Sequence, residues 1–342
     1  MKKLFYLFLF LPLQDVVSQL DTASYCIAFY NVENLFHPTK DSLTQDDAFT
    51  PEGLNHWTYK KYFQKINNTA KVLLAMGKGS PPDIIGLEEI ENDKTLKDLC
   101  YRSPLKKFTY QYVHYESPDN RGIDVALLYR SDRVSILHST PIHIVFPFEP
   151  LSKNRDILYV TAQLPTRDTL HIFVNHWTSR YGGLAATIPK RNHYATVLRQ
   201  KTDSILKQNK NAYIIIGGDF NDYPSDESLK IILETQIPGK SPKASHLFNL
   251  MLAFPALQNI GTHKHEDFWG CLDQIIVSES LLSKTASLQI ENNKAEIFIE
   301  DFMMEPDTKY GGQKPFRTYL GPRYIGGYAD HLPVFVRLIP KH

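Results

Sequence analysis

Short apolar runs recur along nearly the whole chain, and most of them stop abruptly on a carboxylate, a carboxamide or an imidazole. Runs of this kind, rich in Ile, Val, Tyr and Phe and bounded by polar turns, are strand signals. They predict strands at 25–30, 84–87, 109–115, 125–129, 157–164, 170–174, 213–216, 274–277 and 334–338. Several, such as Tyr213-Ile214-Ile215-Ile216, are continuous rather than alternating, which suits strands covered on both faces. Helical spacing appears between them. Tyr59–Met76 carries Phe63, Ile66, Ala70 and Leu73, and 189–208 carries Tyr194, Val197, Leu198 and Ile205 behind a Pro189 suited to a first turn. A Ser-Asp-Glu start predicts a third helix at 225–233. Many strands with few helices between them imply an α/β (α+β) sandwich of two packed sheets flanked by helices.

Composition allows such a core. The chain has 342 residues, of which 42% are hydrophobic and 12% aromatic. No repeat, low-complexity tract or linker divides it, so residues 19–342 are expected to form one domain. Lys plus Arg total 38 against 37 Asp plus Glu, which excludes a protein that coats nucleic acid by bulk charge but leaves room for a local basic groove. Residues 1–18 read as a signal peptide. Lys2 and Lys3 precede an apolar stretch from Leu4 to Leu13, and Val16 and Ser18 suit the −3 and −1 cleavage positions. The stretch is too short to span a bilayer, and no cysteine follows it to carry a lipid. A secreted or periplasmic protein without a stable membrane anchor, expected to be a monomer, follows from this reading. Cys26, Cys100 and Cys271 show no paired spacing, which argues against a zinc site and a disulfide framework; one bridge, or three core residues, remain open.

The polar residues that end the runs carry the chemistry. The first run ends in Asn31-Val32-Glu33-Asn34, the second in Glu88-Glu89, a later one in Asn175-His176-Trp177, and another in Gly218-Asp219-Phe220-Asn221. Leu272-Asp273 and Asp330-His331 each precede a run. Singly, such residues most often cap turns. Together they form a set. Glu89, Asp219 and Asp330 are oxygen ligands suited to Mg²⁺ or Mn²⁺. His176 and His331 can titrate near neutral pH or donate to a phosphate. Asn31 and Asn221 can orient a phosphoryl group without repelling it. Hydrolysis of a phosphate ester needs a cation on the phosphoryl oxygens, a base for the water and fixed donors for developing charge.

In these motifs and their order the chain resembles the endonuclease/exonuclease/phosphatase family, from about Tyr25 to Leu338, and within it the secreted bacterial subgroup. The resemblance implies a deoxyribonuclease-like four-layer fold, with two mixed β-sheets face to face, helices outside and the site at one rim. It also implies roles. Glu89, ending Leu87-Glu88-Glu89, would bind metal, with Asp330 and Glu33. Asp219 and Asn221 would position water or phosphate, with Asn31 on the phosphoryl group. His331 would be held by Asp273 and act as base or phosphate donor. His176 would donate to the phosphate or assist the leaving group. Arg121 and Arg180 would hold flanking phosphates, and Asp124 would be the acid that pairs with His176.

A nuclease is the expected activity, because the Asn175–Trp177 and Gly218–Asp222 contexts look most like secreted bacterial nucleases. Trp177, Trp269, Tyr181 and Tyr324 are rings able to stack on bases. The alternatives are a phosphomonoesterase or a sphingomyelinase-like phospholipase on the same scaffold. The phospholipase would need an exposed apolar loop, for which 142–148 is the one candidate. A catalytically inactive binding protein would not require both histidines and Asp273.

Overall fold

The computed structural model describes residues 24–77, 80–239, 247–254 and 260–341, and the expected signal peptide lies outside them. In chain order the elements are β1 (Tyr25–Leu35), α1 (Tyr59–Met76), β2 (Ile84–Ile90), α2 (Asp93–Arg102), β3 (Tyr110–His114), β4 (Asp124–Arg130), β5 (Ser135–Ile142), β6 (Ile157–Gln163), β7 (Thr169–His176), α3 (Leu184–Gln208), β8 (Tyr213–Asp219), β9 (Leu247–Asn249), β10 (His263–His265), β11 (Phe268–Gly270), β12 (Asp273–Ser278), β13 (Leu288–Ile290), β14 (Glu296–Ile297), β15 (Met304–Pro306), β16 (Gln313–Pro315), β17 (Tyr319–Leu320), β18 (Arg323–Tyr324) and β19 (Val334–Pro340).

Two mixed sheets form. The first has the order β13-β19-β1-β2-β4-β3, with β14 also paired to β19; the second has the order β5-β6-β7-β8-β12-β9. Each contains one parallel pair, β1 with β2 and β7 with β8, and its other pairings are antiparallel. The continuous apolar runs are explained by what covers them. In β1, Ile27 and Phe29 pack between the sheets on Val160, Ile172, Ile215 and Ile275. Ala28 and Tyr30, pointing the other way, pack under α1 and α2 with Ile66, Leu73, Leu96 and Leu99. In β8, Ile215 faces the first sheet, while Ile214 and Ile216 lie under Tyr194 and Leu198 of α3. The result is the four-layer sandwich.

The sheets touch closely at Phe29. A Cβ on Gly86 or on Gly217 would stand 2.4 and 2.3 Å from its ring, so glycine at both positions lets one aromatic side chain fill the gap from both sides. Burying such a ring is worth ~1.5–3 kcal/mol.

Some elements depart from expectation. α3 begins at Leu184, with Pro189 inside it. Its opening turn is held by Thr187, whose hydroxyl donates to the Gly183 and Leu184 carbonyls. The helix expected at 225–233 shrinks to one wide turn, Ser228–Ile232, because Asp226 is drawn to Arg180 and to the Tyr223 N–H. The cysteines are free thiols, Cys26 and Cys100 buried and both pushed up to about 12 by burial. In 142–148, Ile142, Ile144 and Phe146 join the core under α3, leaving Val145, Pro147 and Phe148 as the exposed apolar side chains. No helix among the described residues is long and apolar enough to cross a membrane.

Candidate active site

The parallel pairs decide where the site lies. β1 and β2 run the same way, so Asn31 stands beside Glu88; β7 and β8 do likewise, so His176 stands beside Asp219. β12 runs antiparallel to β8 and places Asp273 against Asp219. All of these residues therefore reach one rim of the sandwich.

Three local devices aim the side chains. The first is left-handed backbone at Glu33, Asn34, Glu89 and Asn221, with φ of 55°, 53°, 64° and 51°. Non-glycine residues there cost about 1–3 kcal/mol each and concentrate at functional sites. At Glu89 this twist, with the register shift against β4, separates two adjacent glutamates. Glu88 is buried, and neither of its oxygens has a hydrogen bond among the described residues. Burial, then Asp273 and Asp219, push its pKa well above the usual carboxylate range. Glu89 turns instead to the rim, where its Oε2 accepts from the Asn34 N–H at 2.7 Å. The second device is Gly218, with φ 124°: a side chain there would meet the Asn175 carbonyl at 2.1 Å. The third is Thr262, whose hydroxyl accepts from the N–H groups of Leu272 and Asp273, both at 3.1 Å.

Asp219 is the centre. Its Oδ2 accepts from Asn31 and Asn221 Nδ2, each at 3.2 Å, and its Oδ1 accepts from the Asn221 N–H at 2.8 Å. Two imidazoles face the same Oδ2, His176 Nε2 at 3.7 Å and His331 Nε2 at 3.8 Å. His331 is tied through Nδ1 to Asp273 Oδ2 at 2.7 Å. Burial opposes a charge on His331, but Asp273 and Asp219 outweigh it and hold its pKa well above the ordinary imidazole value. His176 is the opposite case. Burial, then Arg155 and Arg121, drive its pKa well below that value, so it is neutral. Burial raises Asp219 to about 6, with His331 pulling the other way.

Asp330 flanks this centre. Burial works against its charge, yet Arg317, then His331, His263 and Lys65, hold it at about 2. Glu89 Oε1 and Asp330 Oδ1 accept no hydrogen bond among the described residues, whereas both oxygens of Glu33 are taken. Glu89 and Asp330 therefore each keep one carboxylate oxygen without a hydrogen bond among the described residues, as a metal ligand would, whereas Glu33, expected as a third ligand, is engaged elsewhere. Two other groups, His263 with Asp330 and His331, and Asp219 with Asp273 and His331, bring ligand atoms within 4.8 Å of one another.

Asp124, Arg180 and Trp177 stand differently from what was expected. Asp124 does not meet His176; its oxygens lie on His114 Nε2 at 3.3 Å and the Ser117 N–H at 2.9 Å. Arg180 turns inward, donating to the Asn221 carbonyl at 2.8 Å and to Asp226 at 2.7 Å, and so braces the Asp219–Asn221 turn. Arg121 reaches the rim, 3.9 Å from Glu89. Trp177 is fully buried against Tyr194 and Phe220 and cannot stack on a base. Arg155, which no motif indicated, donates to the carbonyls of His176 and Trp177.

A model of the endonuclease/exonuclease/phosphatase family matches residues 26–340. The chain belongs to this family. Members of the family are phosphoester hydrolases that depend on a divalent metal. Solved structures agree in fold. A family protein from Bacteroides thetaiotaomicron is 18% identical at a TM-score of 0.56, covering 93% of this chain and 98% of its own. A mannosyl-6-phosphatase from the same organism is 18% identical at 0.55, covering 92% and 100%. D. rerio TDP2 complexed with a single-strand DNA product is 16% identical at 0.55, covering 92% and 99%. No protein of curated function matches the chain.

Proposed function

We propose that this family member is a divalent-metal-dependent phosphoester hydrolase that works by in-line attack of water. The observation that carries the reading is the meeting, at one buried carboxylate, of a cationic and a neutral imidazole, His331 and His176. Asp219, oriented by Asn31 and Asn221, takes a proton from the attacking water. The water oxygen bonds to phosphorus as the ester P–O bond breaks. The departing oxygen takes a proton from His331, which recovers one from Asp219. His176 donates its remaining N–H to a non-bridging oxygen. Glu89 and Asp330 would hold the ion, Mg²⁺ or Mn²⁺, which supplies charge on the phosphoryl oxygens.

The sequence favours a nucleic-acid phosphodiester as substrate, and the likeness to a DNA-bound structure is in line with that. Exposed Tyr181 remains a candidate for stacking on bases. A phosphomonoester is the reading that the site geometry supports instead. It is favoured because Trp177 and Arg180, two supports for the nuclease, are spent on the fold. Export with loss of residues 1–18 belongs to the same proposal and rests on the sequence.

The test is a panel. Protein lacking residues 1–18 is assayed, with Mg²⁺ or Mn²⁺ and then with EDTA, on plasmid and single-stranded DNA, sugar 6-phosphates and sphingomyelin vesicles. Metal-dependent hydrolysis of at least one is expected; turnover untouched by EDTA would refute the reading.

A further inference from the structure

Arg317 lies in the loop between β16 and β17, where the sequence offers no motif. Its Nε donates to Glu33 Oε1 at 3.0 Å, and its Nη2 donates to Asp330 Oδ2 at 2.8 Å while standing 2.9 Å from Glu33 Oε1. The carboxylates that hold it are fixed in turn. The Thr318 N–H donates to Glu33 Oε2 at 2.7 Å. Lys65, completely buried on α1, stands 3.8 Å from the same oxygen and donates to Thr318 Oγ1 and to the Tyr328 carbonyl. Burial, then Asp330, push the Glu33 carboxyl up to about 7, while Lys65, Arg317 and the Thr318 N–H pull the other way.

The third corner of this guanidinium is open. Nη1 has no partner among the described residues, and 38% of the Arg317 side chain is exposed against 4% for Glu33. A guanidinium pinned at two corners and free at the third is a preorganised donor for an anion. Arg121 stands on another flank of Glu89. Its Nη2 is bonded to Asn34 Oδ1, its other nitrogens have no partner among the described residues, and 47% of its side chain is exposed. Glu89 therefore has one guanidinium, held by Asn34, 3.9 Å away and a second one within electrostatic reach.

We propose that Arg317 binds the phosphoryl group under attack and, with Arg121, selects a terminal phosphoryl, so that the substrate class is a phosphomonoester. The proposal rests on the phosphoester-hydrolase reading. A monoester phosphate carries about −1.5 to −2 at neutral pH, against one charge on each internal phosphate of a nucleic acid. Two guanidiniums, one pinned by Glu33 and Asp330 and the other held by Asn34, suit the greater charge. Glu33 is then a positioning residue that aims Arg317.

The experiment compares the full mature chain with its Arg317→Ala, Arg317→Lys and Glu33→Gln variants, loaded with Mg²⁺ or Mn²⁺. The probes are p-nitrophenyl phosphate, bis(p-nitrophenyl) phosphate and inorganic phosphate, the last by calorimetry. Wild-type protein is expected to prefer the monoester in kcat/KM. Arg317→Ala should lose ~10²-fold on the monoester, as for removal of a fixed transition-state donor, with a smaller loss on the diester and weaker phosphate binding. Arg317→Lys should recover only part, because an ammonium lacks the fork geometry. Glu33→Gln should weaken phosphate binding in the same direction. A wild-type preference for the diester, or equal losses on both esters in folded Arg317→Ala, would overturn the proposal. If that variant does not fold, an unchanged monoester preference in Arg317→Lys overturns it. If wild-type protein turns over neither ester, the hydrolase reading fails separately; phosphate affinity equal in wild type and Arg317→Lys would then overturn the Arg317 role itself.

Discussion

Asp273 shows how one side chain sets the chemistry of another. Its carboxylate is bonded to His331 Nδ1, and with Asp219 it keeps the imidazole charged against the cost of burial. The rate should need Asp219 ionised and His331 protonated. Its acid limb should lie near 6, where Asp219 titrates, and its alkaline limb well above the ordinary histidine value. Asp273→Asn removes the carboxylate that raises His331. The imidazolium is then lost at lower pH, and the alkaline limb should move down with a loss of ~10²–10⁴-fold at the optimum. A pH–rate profile checks this, and an unmoved alkaline limb would contradict it. The meeting of these residues at one rim was legible because Asn31, Glu89, His176 and Asp219 end apolar runs, where a polar residue has no reason of packing to be. Arg317 and His263 were not legible. They sit in loops whose path depends on contacts with Glu33, Asp330 and His331, remote in sequence.

Elements carry the next layer of the argument. α1 is amphipathic, with Tyr62, Ile66, Thr69 and Leu73 buried, and Lys65 falls on that same face. A lysine on the apolar face of a helix is a readable sign of a buried ion pair, and here it ties α1 to Glu33 of β1 and to the loop before β19. Lys65→Met leaves Glu33 without its buried counter-charge and leaves Thr318 Oγ1 and the Tyr328 carbonyl short of a donor. It should cost about 3–5 kcal/mol, measured by urea unfolding as a lower midpoint with unchanged slope. α2 went unpredicted although its start carries a capping signature: Asn92 accepts from the Thr95 N–H, and Thr95 Oγ1 accepts from the Asn92 N–H. Its apolar face is only Leu96, Leu99 and Cys100, too short for spacing alone to reveal. The expected pairing of Asp124 with His176 failed for a register reason. Asp124 opens β4 beside His114 near the end of β3, and those strands pair with each other.

At the scale of the whole molecule, each sheet contributes one parallel pair, and the carboxyl ends of both pairs open on one rim. The site is therefore a product of the sandwich: Asn31, Glu33 and Glu89 come from one sheet, and His176, Asp219 and Asp273 from the other. Sheet packing was legible in the two-sided apolar runs, which need cover on both faces. Substrate choice was less so, because Trp177 and Arg180 look like ligand residues in sequence and serve as braces in the fold. The central claim is that Asp219 and His331 drive metal-dependent phosphoester hydrolysis. Its most direct test is steady-state hydrolysis of p-nitrophenyl phosphate and bis(p-nitrophenyl) phosphate by wild-type, Asp219→Ala and His331→Ala proteins of matched thermal stability, with Mg²⁺ or Mn²⁺ and with EDTA. Turnover that is abolished by EDTA and falls ~10²–10⁴-fold in each variant is the predicted result; turnover that survives both EDTA and His331→Ala in folded protein would contradict the account.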